Sequence, residues 1–458
     1  MRILIVGAGQ VGTTAAYSLA REEANEVTIV DHRADVLREL QDRLDVRTVV
    51  GHAAFPDVLE RAGAKEADML IALTNSDEMN MLACQVASTL FQTPTKIARI
   101  RAAEYLAQPT LFGVDAIPVD VTISPEELVT DHICELIRFP GALQVLEFAD
   151  GRVRLVATQA HEGGALVGHP LRELSEHIPN VESRVVAIYR GGQGIIPDGD
   201  TIVEEGDEVF FIAARKDIRT VLNEMRKQDE PVRTIVIAGG GNIGVRLAKA
   251  LEDTNQVKVI DRNRERARQI SEVLNKAMVL HGDAADEELL LEENIDSADV
   301  FVSVTNTEEA NILSAMLAKR LGAHKVMALI NKPVYAELVQ AGTIDIAISP
   351  QQITLGVLLA HVRLGDVVKV HSLRRGAAEA IEAVAHGDAG DSRVVGRAID
   401  EIALPSGATI SAIVRGDQVL MDHHDTAIEA DDHVIIFITD RRQIGEVERL
   451  FEIGANTT

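Results

Sequence analysis

The sequence predicts an α/β protein: two Rossmann-like, doubly wound parallel-sheet units, each followed by a small α+β module. Three observations predict it. A glycine fingerprint occurs twice, as Gly7-Ala8-Gly9-Gln10-Val11-Gly12 and as Gly239-Gly240-Gly241-Asn242-Ile243-Gly244. Each copy sits between an apolar strand pattern (Ile3 to Val6, Ile235 to Ala238) and a helix pattern, the context in which G-x-G-x-x-G reads as a dinucleotide-binding turn. What surrounds each copy also repeats, at a shift of about 230 residues.

The elements follow in order. Strands are expected at 2–6, 26–31, 46–50, 69–73 and 96–100, and again at 234–238, 256–261, 277–280, 300–304 and 325–330. Their alternation with helical patterns predicts a parallel sheet in each half. Gly51-His52-Ala53 matches Gly282-Asp283-Ala284, Leu73-Thr74-Asn75 matches Val304-Thr305-Asn306, and Glu78 and Asn80 match Glu309 and Asn311. Ser124-Pro125 and Ser349-Pro350 each open an amphipathic helix, 126–138 and 351–363. Serine caps a helix well, and proline suits its first turn, where the missing N–H is not needed. The apolar residues Leu128, Ile133, Leu136 and Ile137 exceed what one small sheet needs, so these crossover helices are expected to form a dimerising surface.

Each half then changes to short strands split by Gly, Pro and Asp turns. Val185 to Tyr189 with Arg190-Gly191-Gly192 has its counterpart in Ile410 to Val414 with Arg415-Gly416-Asp417. Glu205-Gly206-Asp207 ahead of Val209 to Ala213 corresponds to Asp431-Asp432 ahead of Val434 to Ile438. The charged segment from Arg226 to Pro231 reads as a linker. The expected domains are 1–138, 139–228, 232–365 and 366–458.

Composition narrows the function classes. Aromatic residues make up 3% of the chain and Trp is absent, so the cores must be aliphatic, as in parallel sheets. A formal net charge of −26 argues against nucleic-acid binding and against adsorption to anionic lipid. No apolar run approaches the ~20 residues that span a bilayer, and the amino-terminal apolar stretch leads straight into a glycine turn. Cys84 and Cys134 have no partners at metal spacing and read as buried thiols of a reducing compartment. His386-Gly387-Asp388 and His423-His424-Asp425 do not complete a metal-ligand motif, so no metal site is expected.

The chemistry sits at the fingerprints. The first glycine allows the tight turn, the second lets amides approach a pyrophosphate, and the third allows close packing of the helix. Asp31 lies 19 residues beyond Gly12 and Asp261 lies 17 beyond Gly244, the place of the acid that accepts hydrogen bonds from a ribose diol. A carboxylate there favours NAD or an adenine nucleotide over NADP, although the neighbouring Arg33 and Arg262 can offset it. Thr74-Asn75 and Thr305-Asn306 stand at strand ends, where open α/β sheets bind ligands and where helix caps also occur. Arg99, at the end of the fifth strand, is placed either to grip a phosphate or to form a surface ion pair. The second half has Leu329 in its place, so the two sites are not equivalent. No catalytic constellation of His, Lys, Tyr or paired carboxylates accompanies either fingerprint.

The fingerprint GAGQVG, the segment LTNSDEMNMLACQVA, the strand IARIR and the stretch RFPGALQVLEFADG resemble the peripheral subunit family of bacterial Trk-type potassium uptake systems. That family carries tandem domains of the kind that regulate potassium conductance, and the resemblance runs over essentially the full length. It implies a cytoplasmic protein, peripheral on the inner face of the cell membrane, that is not an enzyme. It implies binding of NAD(H) or ATP/ADP as regulatory ligands, assembly into a homo-oligomeric dimer or tetramer ring, and docking on a potassium-translocating transmembrane subunit. Carried over by position, Gly7 to Val11, Asp31, Thr74, Asn75 and Arg99 would form the first site, and Gly239 to Ile243 with Asp261 the second. The competing readings are an NAD-dependent oxidoreductase and a soluble nucleotide-binding scaffold without a membrane partner.

Overall fold

A computed structural model describes the chain except residues 22–23, 114, 228–229, 340–342, 364–365, 374–377, 422–425 and 453–458. By packing, the chain divides into two compact units, Met1–Leu128 with Pro350–Leu358, and Val129–Ser349 with Leu359–Thr458.

The first unit holds a sheet of six parallel strands: β1 (Arg2–Val6), β2 (Glu26–Asp31), β3 (Arg47–Val50), β4 (Met69–Ala72), β5 (Thr95–Arg99) and β6 (Val121–Ile123). Their order is β3-β2-β1-β4-β5-β6, the doubly wound Rossmann order, with every pair parallel. β1 and β4 are aliphatic and buried on both faces, as a sheet covered by helices requires. β6 was not expected: at three residues, two of them partly or fully exposed, it is too short to carry a hydrophobic pattern.

The second unit contains the antiparallel strands β7 (Ala142–Phe148), β8 (Val153–Gln159), β9 (Ser183–Arg190), β10 (Gln193–Ile195) and β11 (Glu208–Ala214). It also contains a second parallel sheet of β12 (Thr234–Ala238), β13 (Gln256–Asp261), β14 (Met278–His281), β15 (Val300–Ser303), β16 (Lys325–Leu329) and β17 (Ile346–Ile348). This sheet repeats the first, in the order β14-β13-β12-β15-β16-β17. Last come the antiparallel strands β18 (Val367–Leu373), β19 (Ala378–Val384), β20 (Ala408–Arg415), β21 (Gln418–Leu420) and β22 (His433–Ile438). The two antiparallel sheets have matching orders, β7-β8-β11-β9-β10 and β18-β19-β22-β20-β21. The duplication read from the sequence is therefore a duplication of topology.

The two small modules share one core. Phe148, Leu155, Phe210 and Ile212 of the first lie in the same buried cluster as Leu373, Ala380, Val414 and Phe437 of the second. The Phe210 and Phe437 ring centroids are 5.9 Å apart. Polar contacts reinforce the joint: the buried Ala149 amide donates to Glu382 at 2.9 Å, and an Arg184 Nη donates to the Ile410 carbonyl at 3.0 Å.

The crossover helices are Pro125–Arg138 and Pro350–Val362. Their packing is exchanged between the halves. Residues 350–358 of the second helix pack in the first unit, where Thr14 Oγ1 donates to Gln351 Oε1 at 2.9 Å. Residues 129–138 of the first helix pack in the second unit, where Cys134 and Ile137 line a cavity with Leu251 and Thr254. Ile133, Leu136 and Ile137 are buried there. The apolar faces of these helices are thus used within the chain.

Candidate functional site

Both fingerprints form the same turn. Gly7 has φ of +101°, and a Cβ there would come within 2.8 Å of the Thr74 amide nitrogen. Gly239 has φ of +110° against Thr305. A Cβ on Gly12 would overlap the Gly7 carbonyl oxygen, and one on Gly244 the Gly239 carbonyl oxygen. The third glycine therefore lets the helix start against the loop itself. Around the middle glycines, Gly9 and Gly241, there is open space on the Cβ side. These two are the N-caps of helices Gln10–Leu19 and Asn242–Leu251, and neither offers a side chain to cap the first turn. The leading amides, from Gln10 to Gly12 and from Asn242 to Gly244, are thus left without a side-chain cap at the positive end of a helix, where an anion is favoured.

The predicted ribose acids lie beside these loops. Asp31 is 7% exposed, and its Oδ2 accepts the Ala8 amide at 2.7 Å. Its Oδ1 accepts the Arg33 amide at 2.9 Å and the Arg33 Nε at 3.3 Å. Burial pushes the carboxyl up, but those amides and the guanidinium outweigh it and hold the pKa below the ordinary aspartate value. Asp261 repeats the lock: Oδ2 accepts Gly240 N and Oδ1 accepts Asn263 N, both at 2.8 Å. Each aspartate therefore fixes its glycine loop. Each oxygen of an ionised carboxylate has two lone pairs, so Asp261 keeps one acceptor position per oxygen for a diol, whereas at Asp31 the two Arg33 donors fill Oδ1 and the remaining position is on Oδ2.

An arginine closes each loop from outside, and the two come from different sequence positions. Arg33 Nη2 donates to Ala8 O at 3.3 Å, whereas Arg266 Nε donates to Gly240 O at 2.7 Å. The sequence singles out Arg262; in the structure it is exposed, and Arg266, one helical turn further on, reaches the loop.

Thr74 and Asn75 follow β4, across the strand-order reversal from the glycine loop. Their geometry is held by a residue that sequence reasoning missed. Asn80 is fully buried; its Oδ1 accepts Thr74 N at 2.9 Å and Thr74 Oγ1 at 2.6 Å, and its Nδ2 donates to Arg99 O at 2.8 Å. Asn311 makes the same bonds to Thr305 N at 2.7 Å, to Thr305 Oγ1 at 2.6 Å and to Leu329 O at 3.0 Å. The signal was present: Asn80 and Asn311 are matched positions of the repeat. The Asn75 carbonyl accepts from Arg101, whose amide is held by Asp77 at 2.8 Å.

Arg99 ends β5 and points to the start of the crossover helix, with Nη2 3.6 Å from Glu126 Oε1. Its side chain is 19% exposed and its Nε has no acceptor. Burial lowers its pKa, and Glu126 partly restores it. In the first unit, then, the glycine loop, Asp31, Thr74-Asn75 and Arg99 all stand at the carboxyl ends of β1, β2, β4 and β5. In the second, Leu329 is buried and supplies no charge.

In the small modules, Asp207 and Asp432 are buried and receive a two-pronged arginine each. Arg190 Nε and Nη2 reach the Asp207 oxygens at 2.9 and 2.8 Å, and Arg415 reaches those of Asp432 at 2.8 and 2.7 Å. The pairing of Gly206-Asp207 with Asp431-Asp432 is a shared turn: Gly206 has φ of +86° and Asp431 φ of +65°. Among the described residues, no three His, Cys, Asp or Glu side chains converge on a metal-sized site. His386 pairs with Asp431 at 3.3 Å, and His423-His424-Asp425 lie outside the described residues. Cys84 is buried, with its thiol pushed up to about 12 by burial. No described helix is long and apolar enough to cross a membrane.

Comparison with known proteins agrees with this architecture. Residues 3–124 and 235–350 match the TrkA-N domain, and residues 156–226 and 389–452 match the TrkA-C domain. The chain is 60% identical over 454 residues to the Trk system potassium uptake protein TrkA of Halomonas elongata, covering 99% of both chains. It is 58% identical over 453 residues to the protein of that name from Vibrio alginolyticus, again covering 99% of both. Among solved structures, the GsuK RCK domain matches with a TM-score of 0.61 at 19% identity, over 98% of this chain and 94% of that one. The GsuK channel bound to NAD matches with a TM-score of 0.61 at 20% identity, over 98% and 78%. At such identities these two establish the fold. The full-length relatives and the two matched domain pairs establish the family: the chain belongs to the Trk system potassium uptake protein TrkA family.

Proposed function

We propose that this chain is the nucleotide-sensing regulatory subunit of a Trk-type potassium uptake system. It would bind NAD(H) or ATP/ADP at Gly7–Gly12 with Asp31, and at Gly239–Gly244 with Asp261. The observation that carries the reading is the repeated lock between a ribose-facing aspartate and a glycine loop, with open space and uncapped helix amides beside it. These residues fit an adenosine diphosphate group: amides for the pyrophosphate and a carboxylate for the sugar. One solved relative in fold is described as bound to NAD, which agrees with that chemistry. Arg99 fits a ligand phosphate if it leaves Glu126; a contact 3.6 Å long is weak enough to exchange.

Regulation requires that the ligand bind two states of the protein unequally. The exchanged crossover helices give that difference a route, because each joins one α/β unit to the other half of the chain. The subunit would act on the cytoplasmic face, as a dimer or tetramer ring docked on the potassium-translocating membrane subunit, without turning its nucleotide over. Four domains, 1–138, 139–228, 232–365 and 366–458, would be the working parts.

Calorimetry with NADH, NAD, ATP and ADP tests the sites. Asp31→Ala and Asp261→Ala should each remove one binding event, and unchanged isotherms would refute the assignment. Light scattering after size exclusion tests the ring. Membrane association that disappears when the transmembrane partner is deleted supports the docking. Steady oxidation of bound NADH with an added substrate would instead favour an oxidoreductase.

A further inference from the structure

Apart from its glycine loop, the second unit carries a cleft whose lining has more cations than carboxylates, unlike the chain as a whole. Its volume is about 950 Å³, within the usual range for small-ligand sites. It lies where the end of helix Pro125–Arg138 meets β8, the turn after β11, and the β20–β21 hairpin. Arg138, Arg152, Arg154, Arg215, Lys216 and Arg219 line it, against the carboxylates Glu182, Asp217 and Asp417. The whole chain has 45 Lys and Arg against 71 Asp and Glu, so the local balance is inverted.

Partners account for only part of this charge. Arg138 pairs with Glu135, and Arg152 lies 3.9 Å from Asp417. Arg154 is fully buried; it pairs with Glu147, its Nη1 is 2.7 Å from Glu135 Oε2, and its guanidinium lies 5.1 Å above the Phe139 ring. Its Nε–H has no acceptor, although a buried donor without one is costly. Among the described residues, Arg219 has no ion-pair partner and donates to the Arg138 carbonyl at 3.4 Å. Arg215 and Lys216 have no ion-pair partner among the described residues. Clustered cations repel one another, and a concave surface concentrates the field of such a cluster on a counter-ion.

We infer that this cleft is a second anion site, built for linked phosphate groups and distinct from the two glycine loops. Arg215, Lys216 and Arg219, which have no ion-pair partner among the described residues, and the orphan Arg154 donor outweigh the unpaired Glu182 and Asp217 and suit an oligophosphate, because arginine's planar fork binds two oxygens at once. An anion held there would tie the end of the crossover helix to both small modules. The inference does not depend on nucleotide binding at the fingerprints.

The test uses the full chain and sodium tripolyphosphate. Titration calorimetry should show a binding event that weakens as KCl is raised and that weakens at least tenfold in Arg215→Ala/Lys216→Ala. Both residues are exposed, so the variant should keep its melting temperature. A parallel sedimentation experiment uses vesicles of phosphatidylglycerol with cardiolipin. Vesicle binding lost in the same variant, without tripolyphosphate binding, assigns the phosphates to a lipid headgroup. If neither probe binds, or if the double variant binds both as the unaltered chain does, the site does not exist.

Discussion

At the residue scale, the glycines of one fingerprint do separate jobs, and substitution should separate them. A Cβ at Gly12 overlaps backbone that cannot move without opening the turn. Gly12→Ala should therefore destabilise the first α/β unit by about 3 kcal/mol, the upper end of ordinary overpacking costs, as read by urea unfolding. A Cβ at Gly9 meets nothing in the protein. Gly9→Ala should leave stability within about 1 kcal/mol but reduce nucleotide affinity at least tenfold in calorimetry, because the methyl enters the ligand space. Asp31 gives a pH signature. Its folded pKa is depressed, so its stabilising contribution is fully present above the unfolded value of about 3.9 and is lost as pH falls through the lower folded value. The melting-temperature gap between the unaltered chain and Asp31→Asn should be widest near neutrality and close as pH drops below about 4. A gap that is constant with pH would mean that the loss is packing and not charge.

At the scale of elements, strand ends are coupled through single buried side chains. Asn80 ties the ends of β4 and β5 with bonds to Thr74 and Arg99, and Asn311 does the same for β15 and β16. Asn80→Ala leaves several buried polar groups unpaired and should cost about 2–4 kcal/mol, with Asn311→Ala costing a similar amount. Urea unfolding of each variant checks this; the loss of both by less than about 1 kcal/mol would show that water replaces the amide. The sequence made most elements legible. β1 and β12 lie where expected because four aliphatic residues run straight into a glycine, and β2 and β13 because three aliphatic residues, interrupted once, end on an acid. β6 and β17 were not legible, since three-residue edge strands are fixed by their neighbours' hydrogen bonds and not by pattern. Asp31 and Asp261 could be placed beside the loops from spacing alone. That each would already be bonded to a loop amide could not, nor could the arrival of Arg266 in place of Arg262: Arg262 lies ahead of the N-cap Asn263, and Arg266, in the first turn of the helix, is the one that reaches the loop.

At the scale of the molecule, charge and duplication dominate. A net charge of −26 opposes the compact state by self-repulsion. Raising KCl from about 0.1 M to about 1 M shortens the screening length from about 10 Å to about 3 Å. The melting temperature should rise over that interval, and a flat profile would show that the charges are already paired off locally. Arginine-clamped turns at Asp207 and Asp432, one in each module, show such local pairing, but the acidic excess is far larger than they account for. The exchange of the crossover helices could not be read from the sequence. Both helices start at Ser-Pro, and although the first is amphipathic and the second is apolar nearly all round, nothing in either pattern says which half it will pack on.

The common core of the two small modules carries one more consequence. A homodimer of half-length chains would bury a similar surface, but every change in one pocket would appear in the other. Fusing the halves into one polypeptide removes that bond of identity, so one crevice can lose a cation, as at Leu329, while its twin keeps Arg99. Under the proposed function, a tandem chain would be free to listen for two different signals, or to read one signal at two thresholds, with a joint between the modules that no dilution can separate.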